Sequence, residues 1–199
     1  MYMCSIYDVF CPSTSAEILL VDNNRDQDVS RLPNEESANQ RDNSDREEME
    51  RILCEETVGY LGLSMDGMPY VVPLNYGYAG GRILFHCALK GKKLDYLRAN
   101  PQVCFTVGRQ SGSPTRHPQG ALCHVDNDSV ICYGVARIVE NVEERRELLD
   151  TFNRCLEPDA ETITLEAVSK CQAVEIKVTE MTGRRQRSLK RTYWRYSFE

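Results

Sequence analysis

The chain has 199 residues, a net charge of −6 and 41% hydrophobic residues, enough for one domain with a proper core, or one domain plus a tail. This bulk charge does not resemble that of a nucleic-acid-binding protein. No run is long and apolar enough to span a membrane, and Met1 to Phe10 is too polar for a secretory signal, so the expected location is the cytoplasm.

The charge is uneven. Residues 1–45 hold nine acidic side chains against three arginines, and residues 46–199 balance to zero. The nine cysteines contain no C-x-x-C pair, and His86, His117 and His124 make no finger spacing. They read as reduced thiols, with Cys104 and Cys132 as small core hydrophobes, and no metal is expected.

In chain order, residues 1–43 lack sustained periodicity beyond a short apolar run, Ala16 to Val21, and read as an acidic, flexible segment. The domain is expected to open at Ser44. Ser44-Asp45-Arg46-Glu47 fits a capping box with Ser44 as N-cap, and Met49, Ile52 and Leu53 share one helical face. Val58 to Ser64 reads as a strand, and Met65-Asp66-Gly67 as a hairpin turn.

Two further strands follow, Pro69 to Tyr78 and Arg82 to Cys87, joined by Ala79-Gly80-Gly81. Lys92 to Asn100 reads as a helix, Val103 to Val107 as a strand and Gly108 to Gly120 as a long loop. Ser129 to Glu140 is a strand. Glu143 to Leu156 is a helix with Leu148, Leu149, Phe152 and Leu156 on one stripe. Thr162 to Ser169 fits helix or strand. Ala173 to Thr179 alternates as a final strand. After Gly183 a basic tail is expected, with Trp194 docking onto the barrel or fraying. Many strands joined by short hairpins, with few helices, favour an antiparallel barrel over a βαβ sheet.

The junction Leu89-Lys90-Gly91-Lys92-Lys93 places three lysines at a helix start. Lysine is disfavoured there, because the macrodipole is positive and the first N–H groups have no intrahelical partner. An anion held by those N–H groups and ammoniums resolves the conflict, and a phosphate is the obvious candidate. A plain solvated helix start is the competing reading for the lysines, as a half-buried strand histidine is for His86. Pro73 fits either a tolerated edge position or an edge facing a cofactor. Tyr60, Tyr76 and Tyr78 read as barrel packing.

Four stretches in order carry a resemblance: Leu61 to Tyr78, Arg82 to Phe105, Ser129 to Glu140 and Val174 to Gly183. From about Asp45 to Gly183 the chain resembles the FMN-binding split barrels related to pyridoxamine 5′-phosphate oxidase, in the branch that includes nitroimidazole resistance proteins. The resemblance implies a mainly β (α+β) fold, an antiparallel split β-barrel with flanking helices, over residues 44–183. It does not cover 1–43 or 184–199.

It further implies a homodimer with FMN in a cleft between subunits. Val71, Val72, Pro73, Leu74 and Asn75 would lie along the flavin. Phe85, His86, Lys92 and Lys93 would take the ribityl phosphate, with either lysine as the direct contact. The strand beginning at Ser129 would approach the flavin from the other subunit. Cys87 stands where relatives usually carry Ser or Thr. His86, which can transfer protons near neutral pH, is the candidate catalytic residue, with binding its first expected role. The implied activity is FMN-dependent oxidoreduction of a small molecule, such as a nitroimidazole or other nitroaromatic. The alternative is a non-catalytic flavin- or haem-binding protein of the same fold.

Overall fold

Residues 43–198 are described by a computed structural model of the protein. The expected acidic segment falls outside them, except for its last residue, Asn43, which opens helix α1. α1 (Asn43–Glu55) buries Met49, Ile52 and Leu53 completely or nearly so. It opens at Asn43, one residue before the expected start of the domain at Ser44. Strands β1 (Val58–Met65) and β2 (Met68–Asn75) form a hairpin closed by Asp66 and Gly67, whose φ values of 52° and 78° are both left-handed. A two-residue turn with that pair of values matches the right-handed twist of the flanking strands, which is why Asp-Gly suits it.

The expected single strand from Pro69 to Tyr78 is two. β2 ends at Asn75, and β3 (Gly77–Ala79) starts after the buried Tyr76, whose hydroxyl donates to the Leu53 carbonyl at 2.7 Å. β4 (Arg82–Cys87) follows, then α2 (Lys92–Ala99), β5 (Gln102–Gln110) and β6 (Asn127–Val139). Helix α3 (Val142–Leu156) is capped by the Asn141 side chain, which accepts from the Glu144 N–H, and buries Leu148, Leu149 and Phe152. Leu156, expected on that stripe, is exposed. The ambiguous stretch holds a short helix, α4 (Leu165–Val168), capped by Thr164.

The last elements correct the boundary at Gly183. β7 runs from Gln172 to Arg187, and β8 (Lys190–Ser197) pairs with it from Glu180 onward. The basic stretch is therefore folded. In RTYWRY, Trp194 and Tyr196 turn towards α1, while Tyr193 and Arg195 turn outward. Trp194 is 9% exposed and the Arg46 guanidinium lies 5.1 Å from the Tyr196 ring centroid.

All pairings in the eight-stranded sheet are antiparallel, in the order β2-β1-β5-β6-β7-β4-β3, with β8 also on β7. β2 and β3 are thus opposite ends of the path, yet only Tyr76 separates them in sequence. Two Cα atoms that far apart along the chain span about 7 Å at most. The sheet must curl until its ends nearly meet, and no ladder joins them. That is a split barrel. Leu61, Phe105, Val130, Ile83, Phe85 and Ile176 fill its interior together with α1 and α2. Leu84, Val139, Ala173 and Val168 form a second cluster beneath α3. Each large side chain so buried contributes roughly 1.5–3 kcal/mol.

A charged clasp holds α1 against the sheet. The fully buried carboxylate of Asp128 (β6) accepts from Arg109 (β5), Arg185 and Arg187 (β7) at 2.9–3.1 Å. Arg185 also reaches Glu48 on α1, and Arg109 reaches Glu55.

Candidate functional site

The start of α2 is where sequence and structure meet most closely. Gly91 precedes the helix with φ 136°, a conformation that favours glycine, and no side chain caps the first turn. The Leu94 N–H donates to the Gly91 carbonyl at 2.9 Å, which leaves the Lys92 and Lys93 N–H groups at the open end of the helix. The Lys92 and Lys93 ammoniums form no ion pair with a carboxylate among the described residues. They rest on aromatic faces instead. Lys92 Nζ lies 4.6 Å from the Tyr70 ring centroid and 5.4 Å from that of Tyr96, and Lys93 Nζ lies 5.3 Å from that of Phe85. The two lysines therefore diverge, one toward β2 and one over β4. An uncapped first turn with two unpaired cations fits the phosphate of a flavin nucleotide.

β2 runs beside this start. It pairs only with β1, so its other edge offers backbone N–H and C=O groups to a ligand. Tyr70, Val72 and Leu74 face the core, while Val71, Pro73 and Asn75 face out. Val71 is 63% exposed. Pro73 costs the ladder little at an edge.

On β4, Phe85 is buried in the barrel under Lys93, and Cys87 follows on the same face. Burial pushes the Cys87 thiol up, and the Lys93 ammonium partly offsets this. His86 points the other way, toward α3, where its exposed ring stands edge-on to Phe152 at 5.2 Å. So β4 brings Phe85 and Cys87 to the lysines and sets His86 apart from them.

Ser129 lies on β6, with β5 and β1 between it and β2, about 14 Å away at the usual strand spacing. Its pairing partners are Gly108 and Arg184. It belongs to the sheet's outer face, which the sequence reading did not assemble. Across the strands, Pro73 pairs with Tyr60, Tyr60 with Thr106, and Thr106 with Ile131. One row over, Val71 pairs with Gly62, Gly62 with Cys104, and Cys104 with Tyr133. Tyr60 and Tyr133 are 48% and 47% exposed. Tyr60, expected as packing, is thus an outward residue, and so is the half-exposed Cys104. Tyr76 and Tyr78 do pack, and Tyr78 donates to Glu50 at 2.7 Å. The signal for the outer face was the period-2 alternation of four strands, but only the register lines those residues up.

A separate cleft of about 80 Å³ lies under α1 and α3, lined by Leu53, Cys54, Tyr76, Tyr78 and Cys155. It is too small for a drug-sized ligand, for which pockets run from about 300 Å³ upward. The uncapped helix, not this cleft, is the better candidate. No helix among the described residues is long and apolar enough to cross a membrane.

The comparisons with known proteins fit this geometry. An uncharacterised protein from Rhizobium meliloti is 32% identical over 62 residues, which are 31% of this chain and 40% of that protein. A candidate 5-nitroimidazole antibiotic resistance protein from Bacteroides thetaiotaomicron superposes with a TM-score of 0.61 at 27% identity, covering 75% of this chain and 86% of the other. A FAD-binding protein from Mesorhizobium loti gives 0.53 at 26% identity, covering 70% of this chain and 94% of the other. The pyridoxamine 5′-phosphate oxidase family model matches residues 45–185. That span takes in the barrel from α1 to the distal part of β7, and the chain belongs to the pyridoxamine 5′-phosphate oxidase family.

Proposed function

We propose that this protein is a flavin-dependent oxidoreductase of small molecules, with FMN as its cofactor and two copies of the chain forming the site. The observation that carries the reading is the pair of lysines, without a carboxylate partner among the described residues, at the start of α2 beside the open edge of β2. The FAD-binding relative from Mesorhizobium loti supports a flavin, and the resistance-protein relative supports reduction of a nitroimidazole or related nitroaromatic.

In this reading Lys92, Lys93 and the first-turn amides hold the phosphate, and Phe85 closes the floor beneath Lys93. The outer edge of β2 from Val71 to Asn75 hydrogen-bonds the ring system through its backbone, and the apolar side chains there exclude water. Bound flavin supplies the two-electron redox chemistry. His86, exposed near the end of β4, is in this reading the candidate proton-transfer group. The second copy covers the outer face that Val71, Tyr60 and Tyr133 leave open, and its Ser129 strand completes the cleft.

The test is the absorption spectrum of the purified protein after incubation with FMN and removal of excess ligand. Retained flavin bands are the expected result. A haem Soret band would replace this reading with the haem-binding one, and a colourless protein would refute both.

A further inference from the structure

The small cleft under α1 and α3 holds two thiols. Cys54 stands in the last turn of α1 and Cys155 in the last turn of α3, and both line the same space of about 80 Å³. A cleft of that size holds only a few waters, so its walls face each other closely. Both thiols are free; Cys54 is exposed and Cys155 half-buried.

One short segment places both sulfurs. The Tyr76 hydroxyl donates at 2.7 Å to the carbonyl of Leu53, the residue before Cys54. The Cys155 thiol donates at 3.5 Å to the Tyr78 carbonyl. Cys155 also packs on Gly77, where an added Cβ would stand 2.8 Å from the Cys155 Cβ. Tyr76, Gly77 and Tyr78 thus anchor the two thiols around one cleft. The same segment is the break between β2 and β3, where no ladder joins the ends of the sheet.

We propose that Cys54 and Cys155 are a redox modification site, which hydrogen peroxide joins in a disulfide that clamps α1 to α3 across the open seam of the barrel. The exposed Cys54 sulfur attacks the peroxide. The O–O bond breaks, one oxygen stays on the sulfur as a sulfenic acid, and the other leaves as water. The Cys155 sulfur then attacks the Cys54 sulfur, the S–S bond forms, and the second oxygen leaves as water. The two thiols lose two electrons and two protons in all, and the peroxide gains them. A disulfide needs Cα atoms within about 7 Å, so the bond draws the end of α1 over the cleft. Cys54 lies one residue from that end, where the last carbonyls have no intrahelical partner and the turn can adjust. The thiolate is the reacting form, and burial pushes both thiols up. Joining therefore quickens as pH rises from about 7 to 9. The site is independent of the flavin reading.

The test is treatment of the whole protein with hydrogen peroxide, followed by a non-reduced tryptic digest read by mass spectrometry. Trypsin leaves Cys54 in the peptide 52–82 and Cys155 in the peptide 155–170, each with no other cysteine. The expected product, from chains that stay single on a non-reducing gel, is these two peptides joined and two hydrogens lighter than their sum. Dithiothreitol should separate them. The melting midpoint of the oxidised protein should rise by about 4–15 °C and fall back on reduction. Cys54→Ser, at an exposed position, should remove both the joined peptide and the rise, and Cys155→Ala should do the same. Peroxide that leaves Cys54 as an unjoined sulfinic acid, or joins it to a cysteine other than Cys155, overturns the proposal. So does a joined pair in a protein whose midpoint does not move, because the bond then clamps nothing.

Discussion

The ring of Phe105 lies against Gly59, so close that a Cβ built on Gly59 would stand 2.1 Å from its tip. β1 can cross the barrel there only because Gly59 has no side chain. Phe105 in turn packs edge-on against Tyr76, with centroids 4.8 Å apart, at the break between β2 and β3. Gly59→Val should therefore cost about 1–3 kcal/mol through overpacking. Phe105→Ala should cost about 3–5 kcal/mol through the cavity it leaves. Thermal melts of both variants check this. An unchanged midpoint for Gly59→Val would mean that the ring moves aside freely.

The clasp around Asp128 predicts an acid limit to stability. Burial pushes its carboxyl up, but hydrogen bonds from Arg185, Arg187 and Arg109 outweigh that and hold it well below the usual carboxylate range. Glu48 is lowered to about 2, mainly by Arg51 and then by Arg185. Groups with depressed folded pKa values contribute stability above their unfolded values near pH 4, and that contribution is lost as pH falls through the folded values. Melting midpoints should hold from pH 7 to about 5 and then drop steeply. Asp128→Asn takes the shared carboxylate from three guanidiniums, of which Arg185 and Arg109 keep Glu48 and Glu55 while Arg187 keeps none among the described residues, and should cost about 3–5 kcal/mol at pH 7. It should also flatten the acid drop, and an equally steep drop would place the titrating group elsewhere.

Lys92→Ala with Lys93→Ala should separate phosphate binding from support of the fold. FMN affinity should fall about tenfold to a hundredfold, as a charge-assisted contact is worth roughly 1.5–3 kcal/mol. Riboflavin, which has no phosphate, should be unaffected. Fluorescence titration of both ligands decides the matter. Equal losses would show that the lysines serve the helix through Tyr70, Tyr96 and Phe85 instead.

The outer face predicts the oligomeric state. Val71→Glu with Tyr133→Glu puts two charges on a surface that we propose is covered by a second copy. The wild type should scatter light as a dimer at micromolar concentration, and the double variant as a monomer with reduced flavin retention. A wild-type monomer that retains flavin would remove the second copy from the site.

Removing residues 188–199 should abolish the cooperative melt. Trp194 and Tyr196 close the barrel against α1, and Trp194 packs where a Cβ on Gly183 would stand, beside Met49. A truncated protein that melts as sharply as the full chain would show that β8 adds nothing to the stability of the barrel.

Local chemistry alone specified most of the elements. Asp66-Gly67 dictates a tight hairpin because both residues tolerate left-handed backbone. Val174, Ile176 and Val178 alternate because one face of a strand is buried. Gly91-Lys92-Lys93 marks a helix start because glycine tolerates the left-handed backbone that precedes the first turn. Each of these signals lies within a few neighbouring residues.

What only the tertiary structure decided depends on partners far apart in the chain. Tyr76 interrupts a strand that reads as continuous, because its two halves pair at opposite ends of the sheet. His86 parts from Phe85 and Cys87 because successive strand residues face opposite sides, and only the packing of α3 shows which side is which. The last strand reads as a basic tail, docked through Trp194 or frayed, because its arginines dominate the composition. Its register on β7 instead buries Trp194 and turns Arg184 and Tyr193 to the other face. Register is a long-range property, set when the whole sheet curls, and no window of sequence contains it.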